Sequence, residues 1–362
     1  MQKECIFQTF NIKSVEDCLV YENVLSKFNF YNPFNSLQLM RRTGHIECDL
    51  CYFMLSKNGS PIIIMPFFYR KIRIKNIQTP YFDVASPYGY SGPSYNKENE
   101  KYLNHFWELV DDWYKQNKVV SEFIRFNLNN NYNEYTGKLC PTLLNVRGII
   151  IDPEILWHKF KPKVRNNYRK AVNDGLEYKI FYDEIDEEII DQFYAIYIST
   201  MERNGAHTQY FYNKEYFMDI VLKNKKRCSI AMIYLNNIPI STEFILLSDD
   251  TAFSYLGGTL SEYFNSRPND FLKFNTIKWL YDDLKIKYYV LGGGRKDGDG
   301  LYNYKKSFFD NDEDVIFYTG KKIIDLDAYN ELTKLMIKEY NFDEKDIQDH
   351  TFFPLYRIND HF

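Results

Sequence analysis

Between residues 228 and 291 the chain changes folding period in an order that few architectures accept. Cys228 to Leu235 and Ile238 to Leu247 read as strands, joined by Asn236-Asn237, a two-residue turn compatible with positive φ. Ala252 to Gly257 reads as a third strand. Asn269 then opens a helix to Leu284, whose Phe271, Phe274, Ile277, Tyr281 and Leu284 recur at helical spacing. A short buried strand, Tyr288 to Leu291, follows. A meander that continues through a helix into one more strand requires an α/β fold with helices covering a mixed sheet.

Similar orders flank this core. A basic helix, Lys161 to Asp174, stops at Gly175, which suits a C-cap. Helices at Glu187 to Arg203 and Lys214 to Lys223 come next, the latter capped by Asn213. The N-terminal half opens with helix-like segments. Strands Cys48 to Leu55 and Pro61 to Phe68 then flank a Lys57–Ser60 turn, followed by a helix at Lys101 to Gln116 and strands at Phe123 to Phe126 and Leu143 to Ile151. The expectation is two copies of one α/β unit, over 1–150 and 151–320, with the active cleft in the second. A closing helix and tail fill 321–362. A chain of 362 residues is long enough for two domains.

Composition narrows the function. With 45% hydrophobic residues the chain can build ordinary cores, and a net charge of −4 supplies no global basic field, so DNA is not an expected partner. No apolar run reaches the roughly 18 residues of a membrane span, and Met1 to Phe10 lacks the pattern of a secretory signal. Six scattered cysteines suggest neither a disulfide framework nor a metal site; Cys48 and Cys51 have CxxC spacing but no second ligand pair. The expected location is cytoplasmic, with no bound metal.

Two segments carry candidate chemistry. Leu291-Gly292-Gly293-Gly294-Arg295 lets backbone approach a ligand closely and ends in a guanidinium suited to phosphate or carboxylate. Lys305 follows at the same strand end, beside Tyr304. In the strand Ile238 to Leu247, Ser241, Glu243 and Ile245 share one face, and Thr242, Phe244 and Leu246 the other. Glu243 is thus an acid within a central strand, either an ion-pair partner or a base beside a cleft. Tyr255 lies on the following strand.

Five runs together resemble the tandem-GNAT, FemABX-type transferases. They are Tyr81–Asp83 with Ser86–Pro93, Arg165–Ala171, Thr200–Asn204, Tyr255–Gly258, and Leu291–Arg295 with the Lys305 segment. The resemblance implies two GNAT-like (acyl-CoA N-acyltransferase fold) domains and transfer of an aminoacyl or acyl group to an amine. The expected acceptor is a small-molecule or lipid-linked cell-envelope precursor, such as a peptidoglycan stem peptide or an amino sugar.

Lys305 matches the Lys of the family's F-K-x-x-F element and would stabilise the developing oxyanion; Phe309 stands where the family usually has Gly. Glu243 is the candidate base. Tyr255, Arg203, Arg295, Tyr304 and Tyr88 are expected to bind substrate, and Arg165, Arg169 and Asn269 the donor. No tightly bound cofactor is expected. The co-substrate is aminoacyl-tRNA, with tRNA a candidate partner of the basic helix, or acyl-CoA. Arg267-Pro268-Asn269-Asp270 lacks the glycines of the usual CoA cradle, and Asp270 would repel a phosphate there. An acyl-CoA enzyme of polysaccharide or natural-product synthesis and an inactive GNAT-fold binder are the alternatives.

Overall fold

The computed structural model describes residues 5–42, 48–343, 345, 347 and 350–359. Met1–Glu4 and part of the expected tail, residues 344, 346, 348–349 and 360–362, lie outside them. In chain order the elements are β1 (Cys5–Asn11), α1 (Val15–Leu25), α2 (Leu37–Arg42), β2 (Cys48–Lys57), β3 (Ser60–Ile74), β4 (Ile77–Ala85), β5 (Ser94–Tyr95), α3 (Leu103–Gln116), β6 (Val119–Arg125) and β7 (Lys138–Ile149). Next come α4 (Pro153–Lys159), α5 (Pro162–Asn173), β8 (Glu177–Tyr182), α6 (Glu187–Arg203), α7 (Lys214–Lys223), β9 (Cys228–Leu235), β10 (Ile238–Leu247) and β11 (Thr251–Thr259). The last are α8 (Pro268–Asp282), β12 (Tyr288–Gly292), α9 (Gly300–Lys306), β13 (Val315–Ile323) and α10 (Leu326–Tyr340).

Two units partition the chain. One comprises Met1–Thr142 with Phe317–Phe362, the other Leu143–Ile316. The first carries the strand order β1-β2-β3-β4-β6-β13, the second β8-β9-β10-β11-β12-β7. In each, neighbours are antiparallel except for one parallel pair, β4/β6 in the first and β11/β12 in the second. The two sheets therefore share one plan. Each obtains its sixth strand from the far half of the chain: β7, which follows β6 in sequence, pairs with β12, and β13, which follows β12, pairs with β6.

Local chemistry explains most boundaries. Asn236 and Asn237 both take positive φ, 51° and 63°, as the tight β9–β10 hairpin requires. Asn213 caps α7 by accepting from the Tyr216 amide, and Asp186 caps α6 by accepting from Ile189. The N-terminus departs from expectation: the first described element is strand β1, paired along its length with β2. Its apolar residues show no helical period strong enough to contradict that. Strands β4, β8 and β13 also have no counterpart in the sequence reading.

In the second unit the faces of β10 separate as alternation demands. Phe244 packs against Phe193 of α6 and Phe217 of α7. Ile245 joins the opposite core with Ala231, Phe271, Phe274, Ile277 and Phe308. Arg70, Asp83 and Arg357 form a buried ion cluster in the first unit, tying residues near the C-terminus to β3 and β4.

Candidate active site

Strands β11 and β12 are paired only from Thr251 to Phe253 and from Tyr288 to Val290. Beyond that point β12 turns at Gly292, φ 75°, while β11 runs on to Thr259. The β10–β11 register slips at the same level: Ile245 faces Ser254 and Phe244 faces Leu256, leaving Tyr255 as a bulge. Parallel strands that part at their carboxyl ends leave a crevice, the usual ligand position in such sheets. The matching pair of the first unit stays closed. There Ser86 N donates to the Phe123 carbonyl (2.9 Å), Arg125 N donates to Ser86 Oγ (2.8 Å), and Ser91 N donates to the Arg125 carbonyl (3.0 Å).

At the parting of β11 and β12 sits a largely buried ionic network. Lys273, on α8, forms an ion pair with Glu243 of β10; their side chains are 12% and 5% exposed. Lys273 Nζ also donates to Ser254 Oγ of β11 (2.9 Å) and to the Tyr289 hydroxyl of β12 (3.3 Å). That hydroxyl in turn donates to Glu243 Oε2 (2.8 Å). Burial pulls the Lys273 ammonium below its ordinary range, against the attraction of Glu243. Burial and then Glu243 push the Tyr289 hydroxyl well up.

Lys305 lies at the end of α9, its Nζ donating to the Gly293 carbonyl (2.6 Å). Gly293 has no room for a side chain, since a Cβ would stand 2.8 Å from the Leu144 carbonyl oxygen. Burial, and then the positive charge of Lys273, lower the Lys305 ammonium to about 8. The neighbouring Tyr304 hydroxyl is buried without a hydrogen-bond partner among the described residues. Burial, Asp270 and Glu243 raise it. Asp270 is itself buried, and that burial raises its carboxyl above the usual range.

The expected site residues divide. Glu243, Lys305 and Tyr304 converge on the α8 side of the sheet. Both oxygens of Glu243 are engaged, so its placement is that of an ion-pair partner and not of a base open to a substrate. Asn269 is on this side too, its Oδ1 accepting from Ser241 Oγ (3.2 Å) and Thr259 Oγ1 (2.5 Å), which leaves that oxygen little capacity for a donor. Tyr255 points to the other face, sharing a 2.7 Å hydrogen bond with the Tyr216 hydroxyl of α7. Arg203, at the end of α6, donates to the Thr259 carbonyl (2.7 Å) and covers the Phe264 ring. Arg295 is exposed in the loop after β12. Tyr88 belongs to the first unit, with Arg125 over its ring.

Several side chains of the basic helix engage local partners, and two of its lysines are ion-paired. Arg165 donates to the Phe160 and His158 carbonyls at the end of α4, a capping role. Arg169 donates to Asn166 (3.1 Å) and lies over Trp157. Lys170 pairs with Asp174, and Lys161 with Asp310. Lys306 is likewise no idle neighbour of Lys305: it pairs with Asp314 (2.9 Å) and donates to the Asp312 carbonyl. Among the described residues, no group of three or more His, Cys, Asp or Glu could hold a metal ion.

Sequence reasoning missed Lys273 and Tyr289. A lysine among the apolar residues of a predicted buried helix face was the available signal for the first. The second shares strand parity with Leu291.

Residues 158–306 match the family model of the acetyltransferase (GNAT) domain, a span that contains Glu243, Lys273, Tyr289 and Lys305. Residues 158–306 thus carry a GNAT acetyltransferase domain, and the chain as a whole has the fold of a tandem of GNAT units. It is similar in fold to the crystal structure of FemX, at 12% identity and a TM-score of 0.63, over 90% of this chain and 99% of that one. The structure of L-PGS from Bacillus licheniformis is also similar, at 11% identity and a TM-score of 0.56, over 90% and 97%. So is the C-terminal domain of a putative lysylphosphatidylglycerol synthetase from Agrobacterium fabrum, at 12% identity and a TM-score of 0.55, over 89% and 96%. No relative among curated proteins is found by sequence. No helix among the described residues is long and apolar enough to cross a membrane.

Proposed function

We propose that this GNAT-fold transferase moves an acyl or aminoacyl group onto an amine of a cell-envelope precursor, with Lys305 as the catalytic cation. The observation that carries the reading is the Lys305 ammonium, largely withdrawn from water and held by the Gly293 carbonyl at the turn that ends β12, where β11 and β12 part. In the proposed step the acceptor nitrogen attacks the acyl carbon and the carbonyl oxygen becomes an oxyanion. Lys305 donates a hydrogen bond to that oxygen. Collapse breaks the bond to the donor, and the proton lost by the amine goes to the leaving group. A fixed cation in a site withdrawn from water stabilises such an oxyanion more than bulk solvent does.

The envelope assignment is supported by the FemABX-type motifs and by the likeness to FemX. A neighbour whose name joins a lysyl group to phosphatidylglycerol adds to it. Acyl-CoA is favoured as donor by the acetyltransferase match. The test is transfer of radiolabel to a peptidoglycan stem peptide, an amino sugar or a lipid-linked precursor, with aminoacyl-tRNA and acyl-CoA supplied separately. Labelled product from either donor, lost in Lys305→Met, supports the reading; no product from any pairing removes it.

A further inference from the structure

In the first unit three aromatic rings surround the ammonium of Lys322. On α3, Trp107, Asp111 and Tyr114 recur at i, i+4 and i+7 and so share a helix face. Glu122 lies within β6, and Tyr135 and Thr136 follow that strand. Lys322 Nζ stands 5.4, 5.7 and 5.0 Å from the centres of the Trp107, Tyr114 and Tyr135 rings. It pairs with Asp111 (2.5 Å) and donates to Thr136 Oγ1 (2.6 Å), and the Glu122 carboxylate lies 3.6 Å away. Glu122 is fully buried and accepts from the Tyr114 hydroxyl and from the Tyr135 hydroxyl (2.9 Å). Burial raises its carboxyl, and Lys322 is the strongest influence drawing it back. Aromatic faces gathered around a carboxylate are the chemistry that recognises an ammonium.

Every wall of this box comes from residues 107–136, whereas its occupant belongs to β13, far later in the chain. Strand β13 pairs with β6 so that Lys322 is directly opposite Glu122 and Gly320 is opposite Ile124. Gly320 shares a strand face with Lys322. A Cβ on Gly320 would stand 2.7 Å from the Tyr135 ring and 2.8 Å from the Phe126 ring. Glycine weakens a strand interior, and there it marks the close approach of another group. The adjacent Lys321 turns the other way, donating to the Thr351 carbonyl (3.1 Å) and lying over Phe353.

We propose that the box is a receptor for the Lys322 ammonium, and that Gly320 and Lys322 together are the key by which the first sheet recognises β13 and sets its register. Slipping β13 by two residues in one direction brings Lys322 opposite Ile124, where the Tyr135 and Phe126 rings leave no room for its side chain. Slipping it in the other brings Gly320 opposite Glu122 and leaves a buried carboxylate without its cation, which is strongly destabilising. A slip of one residue turns every side chain to the wrong face. An apolar strand can pair with the edge of β6 but cannot fill the box, so the sheet distinguishes its own last strand from a foreign one. This recognition does not depend on the transferase reading.

The test uses the full chain. Lys322→Ala vacates the box, and propylammonium replaces the atoms removed. Propylammonium chloride should raise the denaturation midpoint of this variant saturably, or restore its folding if it is unfolded alone. Sodium chloride at equal concentration should not, and the wild type should not respond. No difference between the two salts overturns the receptor. The key is tested by Gly320→Lys/Lys322→Gly, which keeps composition and net charge but exchanges the two positions. Peptides spanning β13 should then exchange amide hydrogen for deuterium at least about tenfold faster than in wild type, while β9 and β10 of the second unit keep their protection. If that variant does not fold, Lys322→Met/Glu122→Gln leaves no buried ion unpaired, and its β13 peptides should still exchange faster. Wild-type protection of β13 in either folded variant overturns the key.

Discussion

Lys305 Nζ donates to the Gly293 carbonyl oxygen at 2.6 Å, so the cation of α9 is anchored to the glycine turn that ends β12. The turn needs Gly293 because the Leu144 backbone stands against it. One backbone oxygen thereby aims the ammonium, and a displacement of the turn would displace it too.

Lys305→Met should lower kcat about 10²–10³-fold, the scale of losing one oxyanion donor. Because the protonated form acts, wild-type turnover should fall as pH rises through about 8. Stability responds in the opposite sense. Between about 8 and the ordinary lysine range the unfolded chain holds a proton that the folded one has released, so this group makes stability rise with pH there. Chemical denaturation across that window should show the slope in wild type and its loss in Lys305→Met. The partly buried Lys305 therefore does not have the negligible folding effect of an exposed cleft lysine.

Lys306→Met is not a silent control, since its ammonium is paired with Asp314 and the Asp312 carbonyl. It should cost about 1–3 kcal/mol in stability, the scale for stripping a partner from a poorly solvated charged group. Lys278, exposed on α8, is the suitable control, and Lys278→Met should stay within a few-fold of wild-type turnover.

Phe309 and Gly148 form a matched pair, the ring lying against the position a Gly148 side chain would take. Gly148→Ala should destabilise the protein by about 1–3 kcal/mol through overpacking. In a Phe309→Gly background, itself destabilised by about 3–5 kcal/mol, the Gly148→Ala penalty should vanish. Thermal denaturation of the four proteins measures this; additive losses would show that the contact is not shared.

The stitched β4/β6 pair of the first unit leads us to expect one donor per chain. Isothermal calorimetry with acyl-CoA or with a non-hydrolysable aminoacyl-tRNA analogue should return a stoichiometry near one. Two equal sites would show that Ser86 and Ser91 do not close the first crevice.

Arg357 is the far partner of Asp83. Burial raises that carboxyl, but Arg357 and Arg70 together hold it below the usual range. Arg357→Ala should cost about 3–5 kcal/mol, because it leaves a buried charge half-compensated. A midpoint of denaturation unchanged from wild type would show that Arg70 alone suffices.

How far the sequence revealed this protein depended on whether the signal was local. The β9–β10 hairpin was legible because Asn236-Asn237 carries its own turn preference, and α7 because Asn213 caps it. The parity of β10 correctly put Glu243 and Phe244 on opposite faces. Lys305 was singled out by its motif, while its burial and its bond to Gly293 became visible only in the structure. What failed was relational: a lone lysine on α8 gives no sign that it answers Glu243 until strand register brings the two together. Sequence placed Tyr255 only on the strand after Glu243, and one bulge residue turns its hydroxyl toward α7. The exchange of β7 and β13 was similarly invisible, because a strand's periodicity says which face is buried but not which neighbour it will pair with.

That exchange sets a timetable for synthesis. When the ribosome has released the first 142 residues, the sheet they build still lacks the strand that borders β6, and that strand is not translated for roughly another 170 residues. Until then the nascent chain carries an open hydrogen-bonding edge, the kind of surface that recruits chaperones or a stray strand from another chain. The second half faces no such wait, since β7 has emerged before β12 is made. Maturation should therefore finish at the beginning of the chain, with the unit made first completed last.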